Sequence, residues 1–122
     1  MAHADVVPAG TGWKHDPFTV TEKHGVIGGR GVADDKGPLL ACYYGLKSLR
    51  DNGLLGGYEI RFLVRGNEES GSKGVEYYFK ELKKPQPTLG FSPDSDFPLI
   101  FAEKGIINFE VKKKIDLDNV IS

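Results

Sequence analysis

One histidine and a scattered set of carboxylates are the side chains of this chain with the clearest chemistry. His3-Ala4-Asp5 comes first, and Asp34-Asp35 follows a Gly29-Arg30-Gly31 turn. Glu68-Glu69 follows an apolar run, and Asp94 lies in Ser92-Pro93-Asp94-Ser95-Asp96. Each of these sits in a turn beyond a stretch with strand character. Divalent cations are held by imidazole and carboxylate ligands, and the ligand shared between two ions must be a carboxylate. The set is therefore what a hydrolytic two-metal centre requires.

The spacing gives each group two readings. In an extended strand residues i and i+2 share a side, so Asp5 can reach His3 and hold its free ring nitrogen, as partners of metal-bound histidines do. The alternative is an exposed imidazole. Asp34-Asp35 is either a solvated charge pair near a helix start or a place where Asp34 sits between two ions and Asp35 makes local hydrogen bonds. Glu68-Glu69 leaves the buried run Phe62-Leu63-Val64 directly, and adjacent residues at a strand end project in different directions. One can hold a metal while the other faces water as general base; the alternative is a charged loop that caps a helix. Asp94 and Asp96 read either as an Asx-type turn beside proline or as one ligand and one bystander. His15 and His24 read as surface residues, and Cys42 as a core residue of a helix.

These residues need elements to position them. Pro8 to Pro17 is rich in Gly and Pro and reads as loop. Thr19-Val20-Thr21-Glu22 and Val26-Ile27 flank Lys23-His24-Gly25 as a small hairpin. The spacing predicts a helix starting near Gly37 or Pro38, with Leu39, Cys42, Tyr43, Leu46 and Leu49 on its apolar face and Asn52-Gly53 ending it. Tyr58 to Val64 reads as strand. Ser72 reads as the cap of a second helix whose stripe is Val75, Tyr78, Phe79 and Leu82, closed by Pro85 and Pro87. Leu89 to Ser92, Leu99 to Ala102 and Ile106 to Val111 are further strand candidates. Helices alternating with apolar strands imply an α/β fold. Sites in such sheets lie beyond the carboxyl ends of strands, where Asp5, Glu68, Glu69 and Asp94 fall.

Composition narrows the function classes. The chain has 122 residues, a net charge of −1 and one cysteine. A near-neutral balance points away from nucleic acid and from anionic membrane as partners, and Lys112-Lys113-Lys114 reads as a solvated strand edge. No apolar run reaches a membrane span, and no charged and apolar leader opens the sequence. A lone Cys42 excludes an internal disulfide framework and fits a reducing compartment. The expected location is cytoplasmic.

Taken in order, His3-Ala4-Asp5-Val6-Val7-Pro8, Gly29-Arg30-Gly31-Val32-Ala33-Asp34-Asp35-Lys36-Gly37, Glu68-Glu69-Ser70-Gly71 and Pro93-Asp94-Ser95-Asp96-Phe97-Pro98 resemble the co-catalytic zinc metallopeptidases. That family includes carboxypeptidase G, aminoacylase, carnosinase and succinyl-diaminopimelate desuccinylase. Leu40 to Lys47 and Gly90 to Asp94 look most like its bacterial Xaa-His dipeptidase branch. The resemblance implies a mixed, mostly parallel sheet flanked by helices, two divalent ions (zinc, with cobalt or manganese as alternatives) and a small peptide substrate. It implies that His3 binds one metal, Asp34 bridges both, Asp94 completes the first set and Glu69 binds the second ion. Glu68 would be general base and acid, and Asp5 would orient His3. Family members are several times longer; they carry a lid domain and a distal His for the second ion, and this sequence has no His after His24. The expectation is a partial catalytic domain over residues 1–105 and, over 106–122, a strand leading toward a lid. Such a chain would be inactive alone and able to pair with one carrying the missing part. The alternative is a non-catalytic, truncated remnant that binds one metal or none.

Overall fold

The computed structural model describes residues 1–96 and 98–114. Strand β1 (Ala2–His3) pairs in parallel with β4 (Val64–Arg65), with Ala2 opposite Val64 and His3 opposite Arg65. Main-chain bonds extend this contact from Ala2 N to Leu63 O (2.9 Å) and from Ala4 N to Arg65 O (2.8 Å). Between them the chain forms the hairpin β2 (Thr21–Lys23) and β3 (Val26–Gly28) and the helix α1 (Gly37–Asp51). A parallel pair needs such a long crossover, and a helix is its usual content. The hairpin turns at His24 and Gly25, whose φ values of 53° and 75° are what a two-residue turn between twisted strands requires.

The α/β character and the helix limits agree with the sequence expectation. The sheet is smaller than expected. Among the described residues there is one parallel pair and one antiparallel pair, and each has two strands. Tyr58 to Leu63, Leu89 to Ser92, Leu99 to Ala102 and Ile106 to Val111 form no strand. A ladder needs repeated main-chain bonds, and Leu89 to Ser92 shows why one fails to form. Its hydrogen bonds to the start of the chain are made just before β1, where the Met1 amino group donates to Phe91 O (2.7 Å) and Ser92 Oγ donates to Met1 O (2.9 Å). Residues 115–122, in the stretch expected to lead toward a lid, lie outside the described residues.

Helix α1 leans on its neighbours through a half-buried stripe of Leu39, Cys42 and Leu46, and Tyr43 meets Phe62 with ring centroids 6.3 Å apart. It buries no residue fully, so Cys42 is half-buried rather than core. The second helix, α2 (Lys73–Glu76), runs on into a wider turn over Tyr77–Glu81, with Val75, Tyr78 and Phe79 half-buried and Leu82 exposed. Its cap differs from expectation. Ser72 makes no side-chain cap bond; Asn67 Oδ1 instead accepts from Gly74 N (3.2 Å).

The accessible surface is 10977 Å², against about 6,500 Å² for a compact monomer of this mass. Phe101, Leu89, Ile107, Ile106 and Tyr58 are all more than four-fifths exposed. Among the described residues the most sheltered are Ala2, His3, Gly31 and Asp35. The best-packed part of the molecule is therefore the meeting of β1 with the turn before α1.

Gly31 makes that meeting possible. Its φ of 83° lies in the left-handed region, and a Cβ there would collide with Val6 Cγ1 and come within 2.7 Å of Lys36 Nζ. Gly31→Ala is expected to cost about 2 kcal/mol through combined strain and overpacking, read as a lower urea midpoint. The wild-type chain, with so little apolar burial, is expected to melt broadly and below about 65 °C, the upper end for mesophile domains. A sharp calorimetric transition above that temperature would contradict this account.

Candidate metal centre

The strand β1 delivers His3 with its side chain only 1% exposed. Its main-chain N–H donates to Asp35 Oδ2 at 3.0 Å. Asp35 is itself fully buried, and its other oxygen, Oδ1, has no hydrogen-bond partner among the described residues. This bond draws the Val32–Lys36 turn onto β1 and brings Asp34 to the imidazole, with Asp34 Oδ1 2.9 Å from His3 Nε2. Asp94 Oδ2 approaches the same nitrogen at 3.5 Å. The other ring nitrogen, Nδ1, lies 3.1 Å from the main-chain carbonyl of Asp5 and 3.4 Å from Asp5 Oδ1.

Asp5 has a second task. Its Oδ1 accepts the N–H of Glu68 and its Oδ2 the N–H of Glu69, each at 3.1 Å. One carboxylate at the end of β1 thus holds the loop that follows β4. Glu68 is half-buried, while Glu69 is exposed. Two donor groups result, in each of which the ligand atoms lie within 4.8 Å of one another: His3 with Glu68 and Asp94, and His3 with Asp34 and Glu69. All five residues belong to the set singled out from the sequence. Asp96, His15 and His24 are exposed and belong to neither group.

The donor set suits a divalent cation. It offers one imidazole and several carboxylate oxygens, the ligands that zinc, cobalt and manganese accept. The surroundings shift three of these groups. Burial pulls the His3 pKa down, but the hydrogen bond to Asp34 and the field of Asp94 outweigh it and raise it above the ordinary value. Asp94 is raised by burial and by the like charges of Asp35, Asp34 and Glu68, against the pull of His3. Burial also acts upward on Asp5, yet the N–H groups of Glu68 and Glu69 hold it below the usual carboxylate range.

Arg65 is the residue that sequence reasoning passed over. Its partly buried guanidinium lies 3.9 Å from both Glu68 Oε1 and Asp94 Oδ2, and Nη1 donates to Ser72 Oγ at 3.1 Å. The available signal was a lone basic residue ending the apolar run Phe62-Leu63-Val64, two residues before the Asn67-Glu68-Glu69 turn.

Comparison with known proteins shows the family of the chain. Residues 1–117 match the peptidase family M20/M25/M40, and the chain belongs to that family. It is 44% identical over 117 residues to the β-Ala-Xaa dipeptidase of Lactobacillus delbrueckii subsp. lactis, covering 95% of this chain and 24% of that protein. It is 47% identical over 108 residues (88% of this chain, 23% of the relative) to a Bacillus subtilis protein named "Putative dipeptidase YtjP". A Staphylococcus aureus protein, also named as a dipeptidase of that standing, is 43% identical over 119 residues, covering 97% of this chain and 25% of its own. The chain thus spans about a quarter of the length of these curated relatives.

A pH prediction follows from His3. Its folded pKa is raised, so the metal-free chain gains stability from imidazolium pairing that is fully present below the unfolded value of about 6.5. That contribution is lost as pH rises through the folded value. The melting temperature of the metal-free chain is expected to fall between pH 6 and 8.5, and His3→Gln is expected to flatten the slope. A metal-free wild-type chain whose melting temperature is level across this range would contradict the imidazolium pairing.

Proposed function

We propose that this chain forms the metal-binding and proton-transferring part of a dipeptidase. The reaction is hydrolysis of the peptide bond of a dipeptide: the C–N bond breaks, water oxygen bonds to the carbonyl carbon, and the amine leaves with a proton. The observation that carries the reading is the convergence of one imidazole and four carboxylates in two donor groups. Membership of a peptidase family and relatives named as dipeptidases supply the substrate class.

In this reading His3, Asp34 and Asp94 hold the first divalent ion, Asp34 is shared, and Glu69 serves the second. Bound there, the cations polarise the scissile carbonyl and acidify water. Glu68 accepts a proton from the attacking water and hands it to the leaving amine. Asp5 positions Glu68 through its main-chain N–H and fixes the His3 ring through its carbonyl. Zinc is the first choice of ion, with cobalt and manganese as alternatives. No helix among the described residues is long and apolar enough to cross a membrane. With a single cysteine in the chain, a reducing, cytoplasmic setting is the proposed location.

Both donor groups share His3, and one ring nitrogen serves one ion at a time. The expected calorimetric result is therefore a single strong zinc site per chain. His3→Ala is expected to weaken it by roughly 100-fold or more, beyond the loss seen when an outer partner of a ligand is removed. Stoichiometric binding unchanged in His3→Ala, or no binding by the wild-type chain, would end this reading. With the second ion weakly held, dipeptide hydrolysis by the chain alone is expected to stay near the uncatalysed rate. Turnover abolished by Glu68→Gln would show instead that carboxylates suffice for the second ion.

A further inference from the structure

Asp34 is the ligand that the metal-free chain holds least directly. Its carboxylate is 64% exposed, and among the described residues its only hydrogen-bond partner is the His3 ring, at 2.9 Å. Its direction is therefore set by the main chain of its own turn. We infer that Arg30 is a positioning residue: it ties the loop over residues 9–19 to that turn, and so sets how well Asp34 meets the first divalent ion. The inference rests on the metal-binding reading above and deepens it, because Arg30 would act on the site without touching an ion.

The turn is anchored at both ends. At the far end the Asp35 carboxylate accepts the His3 N–H. At the near end the Arg30 main-chain N–H donates to Pro17 O at 2.7 Å. The next residue, Gly31, is packed so closely on Val6 that a Cβ would not fit.

The Arg30 side chain repeats the anchor on the same loop. Its guanidinium carbon lies 5.4 Å from the centroid of the Trp13 ring, within cation–π range. Nη2 donates to Ala9 O at 3.0 Å, and Trp13 Nε1 donates to the same oxygen at 2.8 Å. The Arg30 Nε is buried without a hydrogen-bond partner among the described residues. Hydrogen bonding alone therefore does not account for the place of the guanidinium; the stack on Trp13 completes it. His15 meets the Trp13 ring edge-on, with centroids 5.8 Å apart. Asp16 folds the loop back by accepting Phe18 N–H at 3.0 Å and the Thr19 hydroxyl at 2.7 Å. Trp13 is 36% exposed where Phe18 is 66%. In a molecule whose aromatic rings lie largely in the open, this ring is covered, and Arg30 is part of the cover.

Trp13 is the single tryptophan of the chain, so its emission reports on the clamp. The test is zinc titration of the full 122-residue chain, read by calorimetry and by Trp13 emission, in wild type, Arg30→Met, Arg30→Lys and Leu46→Ala. In wild type the emission should change in step with zinc bound. Arg30→Met is expected to bind zinc roughly tenfold more weakly, the lower end of the loss seen when an outer partner of a ligand is removed. Its Trp13 emission should no longer follow zinc. Arg30→Lys keeps the charge but lacks the planar fork that stacks and reaches Ala9 O, and should fall between the two. Leu46→Ala loosens helix α1 instead. It should lower the metal-free melting temperature and leave the emission response in place.

Ligand dependence provides the second readout. A residue that acts through Asp34 is non-additive with Asp34→Asn and additive with Asp94→Asn. Asp34→Asn should therefore cost less zinc affinity in Arg30→Met than in wild type, while Asp94→Asn should cost the same in both. A merely structural arginine would be additive with each. Zinc affinity of Arg30→Met within about twofold of wild type, the scatter of independent sites, would overturn the inference. So would additivity with Asp34→Asn, or a wild-type emission indifferent to bound zinc. Should Arg30→Met not fold, Arg30→Lys combined with Asp34→Asn gives the same outcomes. A wild-type chain that binds no zinc would remove the metal reading itself, and this inference with it. A wild-type chain that binds zinc with no response to Arg30 substitution would remove the inference alone.

Discussion

The hydrogen bond from the His3 main-chain N–H to Asp35 Oδ2, 3.0 Å long and fully buried, is the contact on which the site depends. A carboxyl group is expensive to bury unless it is hydrogen-bonded. Asp35 has this one bond and a second oxygen with none among the described residues, so the surrounding turn must hold it in place. The turn does so with its own main chain, Lys36 N donating to Gly31 O (3.0 Å) and Val32 N to Gly29 O (3.2 Å). Gly31 at positive φ lets the strand and the turn approach this closely. Once β1 and the turn are joined, the 2.9 Å contact of Asp34 with the imidazole follows.

The distribution of burial gives this contact further weight. In most domains an apolar core carries the fold and a polar site is attached to it. Among the described residues the buried ones here are one alanine, one glycine, a histidine and an aspartate, and the aromatic and aliphatic side chains lie largely in the open. Much of what keeps β1, β4 and the loop after β4 together is polar: the Asp5 clamp on Glu68 and Glu69, the Asp35 bond to His3, and Asn67 at the start of α2. A ligand that binds only this arrangement would stabilise it by mass action, so metal binding at the proposed site would be linked to folding.

Legibility in the sequence followed the range of the forces involved. Helix α1 and the hairpin were readable because their signals are local: apolar spacing from Leu39 to Leu46, Asn52-Gly53 at the helix end, and the Lys23-His24-Gly25 connection, which the structure shortens to a two-residue turn at His24-Gly25. The residues of the donor groups were readable as a set because ordered motifs carry them. Their division of labour was not. Nothing local tells that Asp5 spends its carboxylate on the Glu68 and Glu69 amides while its carbonyl meets the ring, or that Asp35 receives the His3 amide. Those pairings are 63, 64 and 32 residues apart in the chain. The strand candidates failed for a related reason. Leu89 to Ser92 has β-like composition, but strand identity comes from a neighbour's ladder, and Met1, just before β1, offers it one main-chain bond.

The Asp5 clamp also explains how two adjacent glutamates come to serve different donor groups. Both amides donate to the same carboxylate, which fixes two successive peptide planes relative to β1. Each side chain then has its direction set by backbone that cannot rotate without breaking a charge-assisted bond. Glu68 is directed to the sheltered side with Asp94, and Glu69 to the open side with Asp34. A free loop would let either glutamate face either group. The clamp removes that degeneracy at the end of β1 itself, two residues from the imidazole both groups share. One short strand and the residues just beyond it therefore supply the imidazole common to both groups and the constraint that separates its neighbours.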